Sequence, residues 1–384
     1  MSSLDWIVVG AGFTGATFAE RMAAAGKRVL IIERRAHVGG NAYDGRNEYG
    51  ITVHRYGPHI FHTNSNLVWK YLSRFTDWIP YEHRVLGLIE GKLVPIPFNL
   101  DSLATVFPVK AAARIKDALV GRYGLGKKVA ILKLRESEDR EIRHFADYVY
   151  RNVFEGYTLK QWQLRPEELN PSVTARVPVS ISHDDRYFQD EYQAMPLNGY
   201  TAMFQRMLDH PNIEVVLNCD WADVRSAKSA RVLFTGAIDE LLGYRFGPLP
   251  YRSLRFEERT LKKTQHQPVG TINYPNNYAY TRITEQKIIT GQRAPVTTLV
   301  EEYPLPHEPG KTIAYYPIPR DENQSHYAKY AAAVLAEYPQ VCFAGRLADY
   351  QYYNMDQACA RALKLASEHG GPAWPVQLHE PSNT

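Results

Sequence analysis

The sequence predicts an α/β protein built around a dinucleotide-binding βαβ unit, and three observations predict it. The chain opens with a short apolar run, Trp6 to Val9, followed at once by Gly10-Ala11-Gly12-Phe13-Thr14-Gly15, the spacing G-x-G-x-x-G. A second apolar run, 29–32, ends in Glu33, 18 positions after Gly15. Further apolar runs at 213–217, 231–236 and 340–346 lie far along the chain, the last followed by a helical pattern over 357–368. They read as later strands of the same sheet, so the nucleotide-binding part is discontinuous.

Each piece of the opening unit has a physical reason. Four apolar residues without alternation suit a strand buried on both faces. Gly10 permits the tight turn, Gly12 lets backbone approach a pyrophosphate, and Gly15 lets a helix sit close on the strand. Residues 16–25 are alanine-rich and helix-prone, and Gly26 stops them. Glu33 stands where a ribose hydroxyl needs an acceptor. Phe13 and Thr14 fall inside the turn and share its exposure to the cofactor.

Composition sets the outer limits. The 384 residues are 45% hydrophobic, which is ordinary for a globular protein with a large core. A net charge of +4 with no Lys/Arg-rich run gives no footprint for nucleic acid. No apolar stretch approaches the roughly 20 residues that span a bilayer, and the N-terminus enters the first strand with no signal-peptide pattern. Cys219, Cys342 and Cys359 lack metal-ligand spacing. They read as small buried residues in a reducing compartment, so a cytoplasmic protein without a metal site is expected. Tyrosine is the oddity, at 26 residues. It offers a flat apolar face with one polar tip, which suits sugars and bases as well as strands.

Along the chain, Arg34 and Arg35 follow Glu33, and Gly39-Gly40-Asn41 brings backbone close to a bound cofactor. Of the two arginines, Arg34 is the candidate for phosphate. Residues 53–63 hold His54, His59 and His62 around a Gly57-Pro58 pair. Their spacing is poor for zinc; His59 is the candidate to move or steer a proton at the reactive end of the cofactor. A short helix is expected over 66–75 and edge strands over 81–100, where Pro95 and Pro97 sit. Helical sequence follows over 103–134, broken by glycines, and again over 138–153. The stretch 154–162 clusters Phe154, Tyr157 and Trp162 with Thr158 and Gln161, a candidate platform for a flat base. Residues 165–178 read as a surface loop in which Arg176 closes over an anion. A helix over 201–208 follows Asn198-Gly199, and strands are expected over 269–273 and 278–284. Arg282, in the second, is held more firmly than Arg176, and two such arginines grip a diphosphate from opposite sides. A strand-face pair of Arg282 with Glu285 or Glu301 is the alternative. Residues 340–346 end in Gly345-Arg346, and Tyr352, Asn354, Met355 and Asp356 lead into the last helix, whose N-terminus offers a second anion site.

Taken together, GAGFTG with ERR and GGN, YGPHIFHT, FEGYTLKQW, TARVPV, DDRYF, MPLNGYT, YTRITE, YYPI and FAGR followed by YYNMD resemble the bacterial UDP-galactopyranose mutases. The resemblance runs over nearly the whole chain. It implies a Rossmann-like FAD-binding domain, a helical domain and a twisted antiparallel sheet. The boundaries expected are 1–80, 195–240 and 330–384 for the first, 100–155 for the second, and 81–99, 156–194 and 241–329 for the third. It implies FAD, active when reduced, whose N5 attacks the anomeric carbon of a UDP-sugar with no net redox change. It also implies a homodimer or higher homo-oligomer.

By family position, Arg176 is the loop arginine and Arg282 the fixed one, with His59 near flavin N5. Tyr187, Tyr316 and Tyr352 match hydroxyl donors to the diphosphate. Tyr157 stacks on uracil beside Phe154 and Thr158, Trp162 lies at the sugar, and Asn273 lies on the nucleoside side. Two departures stand out: Asn354 replaces an aspartate, and Val153 replaces one of two successive phenylalanines. The alternatives are the same mechanism on another nucleotide sugar, UDP-N-acetylgalactosamine or a dTDP-6-deoxyhexose, and an amine-oxidase-like flavin oxidoreductase.

Overall fold

The computed structural model describes residues 4–170, 177–224 and 230–374. Its opening strand β1 (Trp6–Val9) is buried throughout and lies at the centre of a five-stranded parallel sheet. The order across the sheet is Ile213–Leu217, β2 (Val29–Glu33), β1, Arg231–Phe234, Val341–Phe343. Three separated stretches of chain therefore supply one sheet. Helix α1 (Phe13–Ala24) covers one face with Gly199–Leu208 and the last helix, Met355–Glu368. Trp6, Val8, Phe18, Met22, Phe204 and Leu363 meet in the core between them. Because all five strands run the same way, their C-terminal ends open at one edge of the sheet, where parallel sheets bind ligands.

A second, seven-stranded sheet runs Tyr316–Pro317, Tyr251–Leu261, Thr297–Pro306, Arg282–Glu285, Thr271–Asn273, Val85–Ile89, Lys92–Ile96. Neighbours are antiparallel except Thr271–Asn273 with Val85–Ile89, which are parallel. The two long strands, Tyr251–Leu261 and Thr297–Pro306, are absent from the sequence reading. Their burial explains why. Tyr251–Leu261 is buried on both faces over its first four residues and largely exposed over its second half, so no single period runs through it. The longest helix among the described residues, Asp321–Glu337, likewise has no signature in the sequence; it buries only Asn323, Tyr330 and Val334, too thin a stripe to read.

After Lys92–Ile96 the chain inserts Leu100–Val106, Val109–Tyr123, Ile131–Arg135 and Arg140–Val149, which share a core with Val85, Ile89, Val94 and Ile96 at the end of the second sheet. The helical stretch expected over 103–134 is broken at Pro108 and at Gly124, whose φ of +90° no helix accommodates. Arg140–Val149 does not stop where expected. It widens into a π-helical turn, Tyr150–Glu155, and continues as Gly156–Trp162. Wide turns of this kind re-aim the side chains that follow and recur at functional sites. A small antiparallel sheet of Phe61–Thr63, Tyr192–Pro196 and Trp78–Pro80 connects the histidine segment to the middle of the chain. Among the described residues no helix is long and apolar enough to cross a membrane.

Candidate active site

The C-terminal ends of the parallel strands open into a cavity of about 420 Å³. Gly10, Gly12, Phe13 and Thr14 line it from the first turn, Glu33, Arg34, Gly40 and Asn41 from the second. His59, Gly345, Arg346, Asn354 and Met355 line it from later segments, whereas Tyr352 and Asp356, also expected at the cofactor, are not in the cavity wall: Tyr352 packs on Trp162 and Tyr316, and Asp356 turns to Thr63. Two glycines are required by contact. A Cβ on Gly15 would sit 1.9 Å from the Gly10 carbonyl oxygen, so α1 rests on the turn with no room for a side chain. A Cβ on Gly40, at φ +55°, would lie 2.9 Å from the Cα of Gly12, so the two loops meet backbone to backbone. Gly15 is therefore under the cavity, not in its wall.

Glu33 is buried and serves the backbone as well as the cavity. Its carboxylate accepts from Ala11 N at 2.9 Å and from Arg35 N at 3.0 Å. The arginines divide differently from the expectation. Arg34 borders the cavity, but its guanidinium pairs with Glu240 at 2.6 Å and Asp220 at 3.4 Å. Arg35 lies over the Tyr56 ring at 4.3 Å and donates to Asn41 at 2.9 Å, while its buried Nη1 finds no acceptor among the described residues. A half-buried guanidinium with one buried N–H unspent beside a cavity suits an anionic ligand. Adjacency to Arg34 hid it, since nothing in the dipeptide says which residue faces inward.

His59 borders the same cavity. Its Nδ1 lies 2.9 Å from the Gly57 carbonyl, and so carries the proton, and its backbone N–H donates to His54 Nδ1 at 3.0 Å. Burial pushes the imidazole down to about 3, so it stands neutral with Nε2 as an acceptor. His54 is fully buried, down to about 4 for the same reason, and is a structural histidine. His62 pairs with Asp190 at 2.9 Å and stacks on Phe188. Asp356 accepts from Thr63 at 2.9 Å and keeps its second oxygen buried without a partner among the described residues. Asn354 caps the last helix, where the Gln357 side chain accepts its N–H at 2.9 Å.

Beside the cavity lies a cluster of aromatics around Arg282. Trp162 is 6.2 Å from Tyr316 and 5.9 Å from Tyr352, and the two tyrosines are 5.0 Å apart. Arg346 joins cluster to cavity: it lines the cavity, lies over both tyrosine rings at 5.3 and 5.6 Å, and is anchored by the Tyr353 carbonyl. Burial works against the charge of Arg282, but the Glu302 carboxylate holds it protonated, and Tyr157, Tyr316 and Tyr187 stand near it. Glu302 Oε1 takes Arg282 Nε at 3.0 Å and Nη2 at 2.9 Å. Neither Glu285 nor Glu301 is the partner. The ladder sets Arg282 opposite Glu302, and Glu301, one residue away, points to the other face and meets Arg259. Glu285 is spent on His266 N, Gln267 N and Thr297.

Burial also raises the Tyr157 and Tyr316 phenols, so both remain hydroxyl donors. Asn273 faces Arg282 across the ladder, with its Oδ1 buried and without a partner among the described residues. Thr158 is buried on the helix with Tyr157. Phe154 and Val153 instead turn into the core of the inserted helices, carried there by the wide turn. Arg176 lies outside the described residues. His83 carries no signal in the local pattern. It is buried against the Tyr187 ring at 5.8 Å and pushed down to about 3 by burial, then by Arg282.

Comparison with known proteins adds to this geometry. Residues 152–352 match the family model described as UDP-galactopyranose mutase, and residues 8–75 match an NAD(P)-binding Rossmann-like domain. A probable UDP-galactopyranose mutase of Klebsiella pneumoniae is 34% identical over 370 residues, covering 96% of this chain and 95% of the relative. A dTDP-fucopyranose mutase of Escherichia coli is 34% identical over 369 residues, covering 94% and 97%. Among solved structures, a reduced UDP-galactopyranose mutase superposes with a TM-score of 0.71 over 96% of both chains at 15% identity, a likeness of fold.

Proposed function

The chain belongs to the UDP-galactopyranose mutase family, and from that premise we propose that it interconverts UDP-galactopyranose and UDP-galactofuranose with reduced FAD. One arrangement carries the reading. Arg282, fixed by Glu302 and ringed by Tyr157, Tyr187 and Tyr316, lies beside a dinucleotide cavity and is joined to it by Arg346. The residues at the cavity suit FAD: the glycine turn approaches the pyrophosphate, Glu33 meets the ribose, and the unspent Arg35 donor meets a phosphate. Bound and reduced, the flavin supplies the nucleophile for the anomeric carbon.

The side chains of this protein supply everything else. Departure of UDP builds negative charge on the diphosphate. Arg282 is already oriented, so it meets that charge without reorganising. Tyr187, Tyr316 and Tyr352 add hydroxyl donors, and Tyr157 stacks on the base with Thr158 beside it. Trp162 packs at the sugar end, Asn273 presents its free oxygen to the nucleoside, and neutral His59 accepts a hydrogen bond at the flavin. We assign residues 1–80, 195–240 and 330–384 to the flavin unit, moving its last boundary back to 321 because Asp321–Glu337 is one helix that packs Tyr330 and Val334 on the parallel sheet; 100–155 form the helical unit, and 81–99, 156–194 and 241–320 the substrate sheet.

The E. coli relative supports a second reading, in which the sugar is a dTDP-6-deoxyhexose, because it is as similar as the galactose enzyme. The test is to reduce the purified protein anaerobically and offer UDP-galactofuranose and dTDP-fucofuranose side by side. Conversion of the UDP-sugar only when reduced supports the main reading; conversion of the dTDP-sugar alone selects the second. Arg282→Ala is expected to lose turnover by roughly a hundredfold or more with flavin retained, and full activity would remove the diphosphate assignment.

A further inference from the structure

We propose that Lys160 is a positioning residue that fixes the distance between the base-stacking helix and the diphosphate-binding arginine. This rests on the mutase reading above. Lys160 lies on Gly156–Trp162, the helix that carries Tyr157, Thr158 and Trp162. Its ammonium donates to the backbone carbonyls of Tyr274, Tyr278 (3.1 Å) and Tyr280 (3.1 Å). An ammonium has three N–H groups, so all three are spent on one loop. That loop joins Thr271–Asn273 to Arg282–Glu285, and the residues at its two ends, Asn273 and Arg282, face each other in the ladder. Lys160 therefore ties the platform for the base to the strand ends that hold the diphosphate.

Two further contacts make the same connection. Gly156 is pressed on the loop so closely that a Cβ would lie 2.6 Å from the Pro275 carbonyl oxygen and 2.4 Å from Asn276 Oδ1. Asn276 in turn donates to the Asn152 carbonyl at 2.9 Å. The C-terminal end of the helix is held from the same sheet. Arg252, buried on Tyr251–Leu261, donates to the carbonyls of Gln161 at 2.7 Å and Lys160 at 3.3 Å. Among the described residues no carboxylate pairs with Lys160, and burial draws it down to about 8. A half-buried cation neutralised by carbonyl dipoles alone is a costly way to fasten a loop. It is the way that leaves no extra negative charge near a diphosphate.

A nucleoside diphosphate spans both parts, so its affinity follows their separation. The flavin does not: the dinucleotide cavity takes no lining residue from the helix or the loop. The experiment compares Lys160→Met, Lys160→Arg and Gly156→Ala with the wild type in the flavin-loaded enzyme. It reads flavin per protein, melting temperature, UDP dissociation constant, and kcat and KM for UDP-galactofuranose. Lys160→Met is expected to weaken UDP and raise KM about tenfold, with kcat changed less and flavin content unchanged. Lys160→Arg falls between, and Gly156→Ala reproduces the split from the other side of the contact. Wild-type UDP affinity in Lys160→Met and Gly156→Ala overturns the proposal, as does parallel loss of flavin, stability and UDP affinity in all three. A wild-type enzyme that binds no UDP overturns the UDP-sugar reading instead.

Discussion

The two arginines after β2 differ by one position and by everything around them. Arg34 is half exposed and already neutralised by Glu240 and Asp220, whereas Arg35 is aromatic-stacked with a buried donor unspent. A charge-assisted hydrogen bond to a phosphate is worth about 1.5–3 kcal/mol. Arg35→Ala should therefore weaken flavin retention by ten- to a hundredfold, and Arg34→Ala should leave it near wild type. Flavin absorbance per protein after gel filtration checks this, and equal retention in both variants would remove the assignment. The same lesson holds at Arg282. Its residue type and its place in a strand were legible in YTRITE, but its partner was not. Glu285, Glu301 and Glu302 are all near in sequence or strand, and only the register Arg282↔Glu302 decides among them.

At the scale of elements, the βαβ unit was legible because its determinants are local. Apolar strand, glycine turn, helix and terminal acid follow one another within thirty residues, and each has a short-range cause. Gly15 shows how tightly they are coupled: its missing side chain is what seats α1 on the Gly10 carbonyl. Gly15→Ala must push backbone from backbone, and overpacking of that kind costs about 1–3 kcal/mol. A loss of unfolding free energy of that size, read by urea titration, with flavin loss, is the expected outcome; an unchanged midpoint would mean the turn relaxes freely. The elements that escaped sequence reading are those without a period. Tyr251–Leu261 changes its environment halfway along, and Asp321–Glu337 buries a narrow stripe. The wide turn Tyr150–Glu155 escaped for another reason: a π-helical turn has the side-chain chemistry of its neighbours and differs only in hydrogen bonding.

The whole molecule carries a pH signature of its buried histidines. Burial draws His54 to about 4, and His59 and His83 to about 3, from an ordinary value of 6.5. Each is neutral in the folded protein and binds a proton in the unfolded chain below pH 6.5. Their stabilisation is thus complete above 6.5 and is lost as pH falls toward the folded values, at up to about 1.4 kcal/mol per pH unit for each. The urea midpoint should fall between pH 7 and pH 5, before most carboxylates protonate; a flat midpoint there would show that these rings are hydrated. The sequence by itself determined the dinucleotide unit, the family and the residue types of the site, because those rest on local spacing and on motifs read one at a time. Only the tertiary structure decided which Arg34/Arg35 side chain keeps a free donor, which glutamate holds Arg282, that Phe154 turns inward, and that Lys160 fastens the 274–281 loop to its helix. Arg34 and Lys160 are fixed by segments more than a hundred residues away, Arg282 by strand register and Phe154 by a change of helical hydrogen bonding, and none of these leaves a trace in the local pattern.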